Sequence, residues 1–186
     1  MTHIRPPASV NAPAADLPDW LVGELRSDHA GETGAVMIYR GILAFARDPE
    51  IRDFAQRHGA TEQGHLDLLE GLLPARQRSV LLPIWRVAGW LTGALPALAG
   101  NRAIYATIDA VETFVDHHYQ AQIDRLDAER IFPEIRALLA RCQEEEVEHR
   151  DEAREAADAP PGLLLRGWAW LVGNGSAAAV HAARRI

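Results

Sequence analysis

Glu62-Gln63-Gly64-His65 and Glu146-Val147-Glu148-His149 decide how this chain folds. In a helix, residues three apart share a face, so each stretch can aim a carboxylate and an imidazole at one point. One such unit carries little weight alone. With 14 Glu and 8 His in 186 residues, chance supplies roughly 0.6 of them. The surroundings raise it. Glu32 lies 30 residues before Glu62, and Glu112 lies 34 before Glu146. Between the members of each pair stands a helix restart, Asp48-Pro49-Glu50 in one half and Phe132-Pro133-Glu134 in the other. Pro in a first turn gives up an N–H that no helix uses there, and Glu favours the N-terminal dipole. Antiparallel helices around a short turn bring residues equally far from it to one level. Glu32 is 16 residues before Asp48 and Glu62 is 14 after it; Glu112 is 20 before Phe132 and Glu146 is 14 after. A slightly longer connection absorbs the mismatch in the second half. Four carboxylates and two imidazoles therefore converge between four helices.

That convergence is the carboxylate-bridged dinuclear site of a ferritin-like four-helix bundle. The first helix is expected from Trp20 to about Arg47, with Asp16 or Asp19 as its cap, and the second from Asp48 to about Leu73. A third, apolar piece covers roughly 81–99, broken by Pro83 and Pro96. The fourth helix runs from Asn101 to about Ala128, the fifth from Phe132 to about Ala157, and a sixth, apolar one over about 163–183. No stretch shows the strict alternation of a strand. The fold class is all-α, with a flexible leader over 1–15 and a single domain over 16–186.

Composition removes other chemistries. The lone Cys142 rules out disulfides and thiolate-rich metal sites, and is best taken as a small core residue. All 19 basic residues are Arg, so lysine Schiff bases and P-loops are excluded. A net charge of −7 argues against nucleic acid as the main partner. The first 20 residues lack a basic start followed by an apolar run, so no secretory signal is expected.

The charge is unevenly spread. Residues 71–108 carry four Arg and no acid, and residues 159–186 carry three Arg and no acid. Neither piece is a membrane span, which needs about 20 apolar residues. The run Val87–Gly100 has 14 uncharged residues, and Gly167–Val180 contains Asn174. Trp85, Trp90, Trp168 and Trp170 beside arginines fit the headgroup boundary of an anionic membrane. The plainer reading of both pieces is hydrophobic core or a dimer contact.

Carboxylates and imidazoles without thiolate suit iron or manganese rather than structural zinc. Two divalent ions need about four carboxylates to balance their charge. Read as solvated helix faces, the four glutamates would leave Gly31, Gly34 and Gly64 unexplained, since glycine costs helix stability. Around them, Asp28, His118, Tyr119 and Asp151 are candidates to bond the ligand imidazoles or move protons. Tyr119 lies seven residues past Glu112 on the same face, and Tyr39 seven past Glu32; each could relay an electron or a proton, although a tyrosine on an inward face is more often core with a satisfied hydroxyl. His29, His58, His117 and His181 are expected to be surface or hydrogen-bonded residues.

Asp28-His29-Ala30-Gly31-Glu32, Glu62-Gln63-Gly64-His65-Leu66, Glu112 with His117-His118-Tyr119, and Glu145-Glu146-Val147-Glu148-His149 together resemble the motifs of the demethoxyubiquinone hydroxylases. These are di-iron, membrane-associated enzymes of ubiquinone biosynthesis, and the resemblance runs from about Trp20 to the C-terminus. It implies iron ligands at Glu32, Glu62, His65, Glu112, Glu146 and His149, with Glu62 and Glu146 bridging. It further implies mono-oxygenation, with O2, of a polyprenyl methoxy-methyl-benzoquinone or its quinol, and an external electron donor, NADH or a reductase. A peripheral place on the cytoplasmic face of a bacterial inner membrane (or the mitochondrial inner membrane) follows, with a homodimer or a lipid-binding partner left open. Arg150 departs from the pattern, standing where many members repeat His. The rival reading is a ferritin-like iron-handling or peroxide-scavenging protein, which shares the ligands. A third is a metal-free membrane adaptor using the two apolar helices.

Overall fold

A computed structural model describes residues 17–186. The expected leader, 1–15, lies outside them. Six helices follow in order: α1 Asp19–Phe45, α2 Pro49–Leu72, α3 Leu82–Ala99, α4 Asn101–Glu129, α5 Pro133–Ala156 and α6 Leu163–Ala183. A 3-10 turn at Ala75–Gln77 joins α2 to α3, and no strand occurs among the described residues.

The helix starts follow local chemistry. The Asp48 side chain caps α2 by accepting from the Glu50 N–H at 2.9 Å, with Pro49 in the first turn. Asn101, opening α4, donates to the other Asp48 oxygen at 2.6 Å and ties the two helix starts together. Gly100, with φ of 110°, ends α3 and turns the chain straight into α4, a conformation that favours glycine. Two expectations are corrected. Asp19 does not cap α1; the cap position is Pro18, and Asp19 sits in the first turn, where its charge meets the helix dipole. Nor is α3 broken by its prolines. Pro83 falls in the first turn, where no N–H is needed, and Pro96 lies in the last, where one lost bond does not interrupt a helix about to end.

Two apolar clusters hold α1, α2, α4 and α5 together. One gathers Leu21, Leu25, Leu69, Leu73, Ile123, Leu126, Ile135, Leu139 and Cys142. The other gathers Ile38, Ile42, Ile51, Phe54, Ile104, Ile108 and Ala153. On every one of these helices the singled-out glutamate falls between the two clusters: Glu32 on α1, Glu62 on α2, Glu112 on α4 and Glu146 on α5. Each fully buried Leu or Ile contributes about 1.5–3 kcal/mol, so the clusters clamp the polar level from both ends.

α3 and α6 pack on the outside of this frame. Gly89 of α3 seats on the Gly34 backbone, Gly93 on the Ile38 carbonyl, and Gly41 of α1 on the Trp90 carbonyl, so these backbones touch with no side chain between them. α6 is pinned near both ends. The Trp168 indole donates to Thr107 Oγ1 at 2.8 Å, and the Arg184 guanidinium to Glu24 Oε2 at 2.7 Å. Large exposed hydrophobic residues concentrate on these two helices, among them Ile84, Val87, Leu91, Leu95, Leu98, Leu164, Trp170 and Leu171. No helix among the described residues is long and apolar enough to cross a membrane.

Candidate metal centre and cavity

The six residues singled out by spacing come together. All of them are 0–4% exposed, although each carries an ionisable group. Ligand atoms of Glu32, Glu62, His65 and Glu146 all lie within 4.8 Å of one another, and so do those of Glu62, Glu112, Glu146 and His149. Glu62 and Glu146 belong to both sets, which is the geometry of two adjacent ions sharing two carboxylates. The 3.6-residue period produces this: in each Glu-x-x-His unit the carboxylate and the imidazole lie one turn apart on the buried face.

Both imidazoles turn Nδ1 inward. His65 Nδ1 lies 3.0 Å from Glu146 Oε1 and 3.8 Å from both Glu32 and Glu62. His149 Nδ1 lies 3.0 Å from Glu62 Oε1 and 3.4 Å from Glu146 Oε2, without the alignment of a hydrogen bond. Glu32 Oε2, both Glu62 oxygens and Glu146 Oε2 are likewise buried with no hydrogen-bond partner. Among the described residues no arginine pairs with any of the four glutamates, and their ion pairs are with His65 and His149 alone. Burying an unpaired carboxylate costs several kcal/mol, so four at one level require compensating positive charge. Inward-facing, unpartnered carboxylate oxygens with one imidazole per set are the donor set that two divalent ions of the iron or manganese kind take. The residues fit the group.

Without such ions the acids resist ionising together. Burial, and then the charge of Glu146, push the Glu62 carboxyl well above its ordinary range; burial followed by Glu146 and Glu62 does the same to Glu112. Burial would also raise Glu146, but the imidazoles of His149 and His65 beside it hold it down, to about 2. Burial opposes charge on His65, yet its bonds to Glu145 and Glu146 and the nearby charge of Glu32 outweigh this and raise it.

A cavity of about 360 Å³ opens above this level between α1, α3, α4 and α6. Glu32, Glu62, Glu112 and Glu146 form its acidic end. Its walls are mostly apolar or small, with Phe114, Trp168 and Val172 beside Gly31, Gly34, Gly89 and Gly175. This size and character suit an organic ring rather than a hydrated ion. Apart from its chain neighbours and its own helix backbone, no atom stands within 4 Å of where a Gly31 side chain would begin, so that glycine leaves the space open.

Of the surrounding candidates, Tyr119 donates to Glu32 Oε1 at 2.5 Å. Its burial, and then the Glu32 charge, raise the phenol well above its ordinary range, which keeps the proton on the oxygen. Asp28 and His118 line the cavity and bond to each other at 2.8 Å, joined by Gln122 and Ser27. They do not bond a ligand imidazole. Asp151 is corrected outright: it is exposed, and its carboxylate faces Arg150 and Arg154. Tyr39 is buried with its hydroxyl unpartnered, its ring edge-on to His149. His29 and His58 are buried and meet Glu70 and Glu152. Sequence reasoning missed Glu145, whose Oε2 lies 2.5 Å from His65 Nε2. It stands within the run Glu144-Glu145-Glu146, and nothing in that run marks which carboxylate turns toward α2.

Comparison with known proteins shows the family. Residues 19–183 match the sequence model of the family described as ubiquinone biosynthesis protein COQ7. The chain is 37% identical over 169 residues to the rat protein named NADPH-dependent 3-demethoxyubiquinone 3-hydroxylase, mitochondrial, covering 87% of this chain and 76% of that one. It is 40% identical over 148 residues to the 3-demethoxyubiquinol 3-hydroxylase of Rhodospirillum rubrum, covering 77% and 69%. With the human protein of the same name as the rat one, it shares 33% over 169 residues, covering 87% and 76%.

Proposed function

Because the chain belongs to the family of the ubiquinone biosynthesis protein COQ7, we propose that it is a 3-demethoxyubiquinol 3-hydroxylase, an oxidoreductase of ubiquinone biosynthesis. The observation that carries this reading is an apolar cavity ending on four buried glutamates that form two overlapping metal-ligand sets. In the balanced reaction one atom of O2 enters a ring C–H bond and the other leaves as water, with two electrons from a nicotinamide donor, directly or through a reductase. Relatives named as NADPH-dependent support that class of donor.

Glu32, Glu62, His65 and Glu146 would hold one iron, and Glu62, Glu112, Glu146 and His149 the other, with Glu62 and Glu146 bridging. The two ions, when bound, supply the activation of O2. Four carboxylates against two divalent charges leave the buried centre near neutral, which is what its low-dielectric surroundings favour. Tyr119 fixes Glu32: its hydroxyl occupies Oε1 and leaves Oε2 facing the centre. The glycines of α1 and α6 keep the corridor open, so that a planar ring reaches the acidic end while Phe114, Trp168 and Val172 exclude water around it. An aromatic quinol fits this space, whereas iron storage has no use for an apolar wall.

The finer architecture belongs to the same proposal. α1, α2, α4 and α5 are read as a ferritin-like four-helix bundle within a single domain over 16–186. α3 and α6 are read as membrane-interfacial helices whose exposed apolar residues meet the acyl boundary, so that the polyprenyl tail stays in lipid while the ring enters. That places the protein peripherally, on the cytoplasmic face of a bacterial inner membrane or on the mitochondrial inner membrane. The test is an aerobic incubation of iron-loaded protein in detergent with demethoxyubiquinone and a nicotinamide reductant. Product heavier by one oxygen is expected, and its absence at full iron loading would contradict the reading.

A further inference from the structure

The two ligand sets hold the same residue types, three glutamates and one histidine each, and share two of the glutamates. They differ behind the imidazoles. His65 is held at both nitrogens, with Nδ1 on the cluster and Nε2 2.5 Å from Glu145 Oε2. His149 has only its Nδ1 on the cluster; among the described residues no hydrogen bond reaches its Nε2. Its ring is braced instead by His58, whose centroid is 4.1 Å away. That neighbour is committed elsewhere, its Nε2 lying 2.8 Å from Glu152.

We propose that Glu145 is the positioning residue of His65, and that through it the His65 position binds a divalent ion more tightly than the His149 position. The inference rests on the two-metal reading above. A carboxylate accepting from Nε2–H fixes the tautomer whose Nδ1 lone pair faces the ions, stops the ring from turning, and makes that lone pair a better donor. Partners of this kind contribute about 10–100-fold in metal affinity. His149 receives orientation from packing but no such polarisation. A second difference runs the opposite way: Tyr119 draws on one oxygen of Glu32, while among the described residues no hydrogen bond does so for Glu112. The share belonging to Glu145 must therefore be isolated by substitution. Glu145 is suited to this, because its side chain is 32% exposed and lies outside both apolar clusters.

The experiment is an anaerobic Co2+ titration of the metal-free full chain in detergent, followed by the visible d–d bands, with circular dichroism confirming the fold of each variant. Wild type should take two ions per chain in two resolved steps. Glu145→Gln should still take two, with the tighter step weakened about 10–100-fold. In a His149→Ala background, which retains the His65 position, Glu145→Gln should weaken the remaining ion by the same factor. In a His65→Ala background it should change nothing. Glu145→Asp keeps the charge but withdraws the oxygen from His65, and should behave like Glu145→Gln. An unchanged Glu145→Gln titration would overturn the proposal. So would equal weakening in the two histidine backgrounds, or a Glu145→Asp that behaves as wild type, since both would reduce the effect to general charge. A wild-type protein that takes up no Co2+ would instead overturn the two-metal reading itself.

Discussion

Tyr119 shows how one side chain can set the state of another. Its hydroxyl lies 2.5 Å from Glu32 Oε1 in a residue that is 1% exposed, and it keeps its proton because burial and the adjacent carboxylate both oppose ionisation. Tyr119→Phe would strand a buried carboxylate oxygen and free Glu32 to turn. The expected outcome is a kcat lower by about 10-fold or more, with KM for the quinol changed less than about 2-fold, since the ring's apolar contacts are untouched. Steady-state kinetics check this, and an unchanged kcat would remove Tyr119 from the account. Spacing alone marked Tyr119, because seven residues past Glu112 is two turns along one face. It could not reveal that the partner would be Glu32 on α1. Glu145 was invisible for the same reason: neighbouring residues of a helix point about 100° apart, so only the placement of α2 beside α5 makes both Glu145 and Glu146 face His65.

α3 is the element whose role differs most between sequence and structure. Its apolar run reads as a helical piece broken by two prolines, yet it is one helix seated by glycine on the backbone of α1. Glycine in a helix costs about 1 kcal/mol against alanine, and close approach of the neighbour is the compensation. A side chain at Gly93 would meet the Ile38 carbonyl, which is backbone within a clamped helix and cannot yield. Gly93→Val should therefore separate α3 from α1 and cost about 1–3 kcal/mol, visible as a lower Tm. At the exposed Gly167 on α6, where nothing stands within 4 Å, Gly167→Ala should leave Tm unchanged or higher. Equal losses at both sites would contradict the seating. The frame helices were legible because caps and restarts are local: Asp48-Pro49 and Pro133 mark starts that the structure keeps. Helix-to-helix contact is not local, and no periodicity within α3 announces its partner.

At the scale of the whole molecule, charge and apolarity are divided between two faces. Acidic groups crowd the frame helices, while α3 and α6 carry exposed Ile, Leu, Val and Trp with arginine and no acid. If those helices meet an anionic membrane, the chain should sediment with vesicles containing anionic lipid. Leu164→Glu with Trp170→Glu should reduce the bound fraction several-fold, at positions 92% and 69% exposed where the fold is not at stake. Undiminished binding by that variant would place the contact elsewhere. The composition made this division legible, whereas the cavity was not, because it exists only where α3 and α6 are laid over α1 and α4. In the proposed reading the buried glutamates at the floor of that cavity hold two ions through shared carboxylates. Elemental analysis of protein purified in detergent and loaded anaerobically with Fe2+ tests it most directly, for wild type and for Glu146→Ala. About two irons per chain are expected in wild type, falling below one when Glu146, one of the two carboxylates common to both sets, is removed; iron at trace level in wild type, or two irons retained by Glu146→Ala, would overturn that reading.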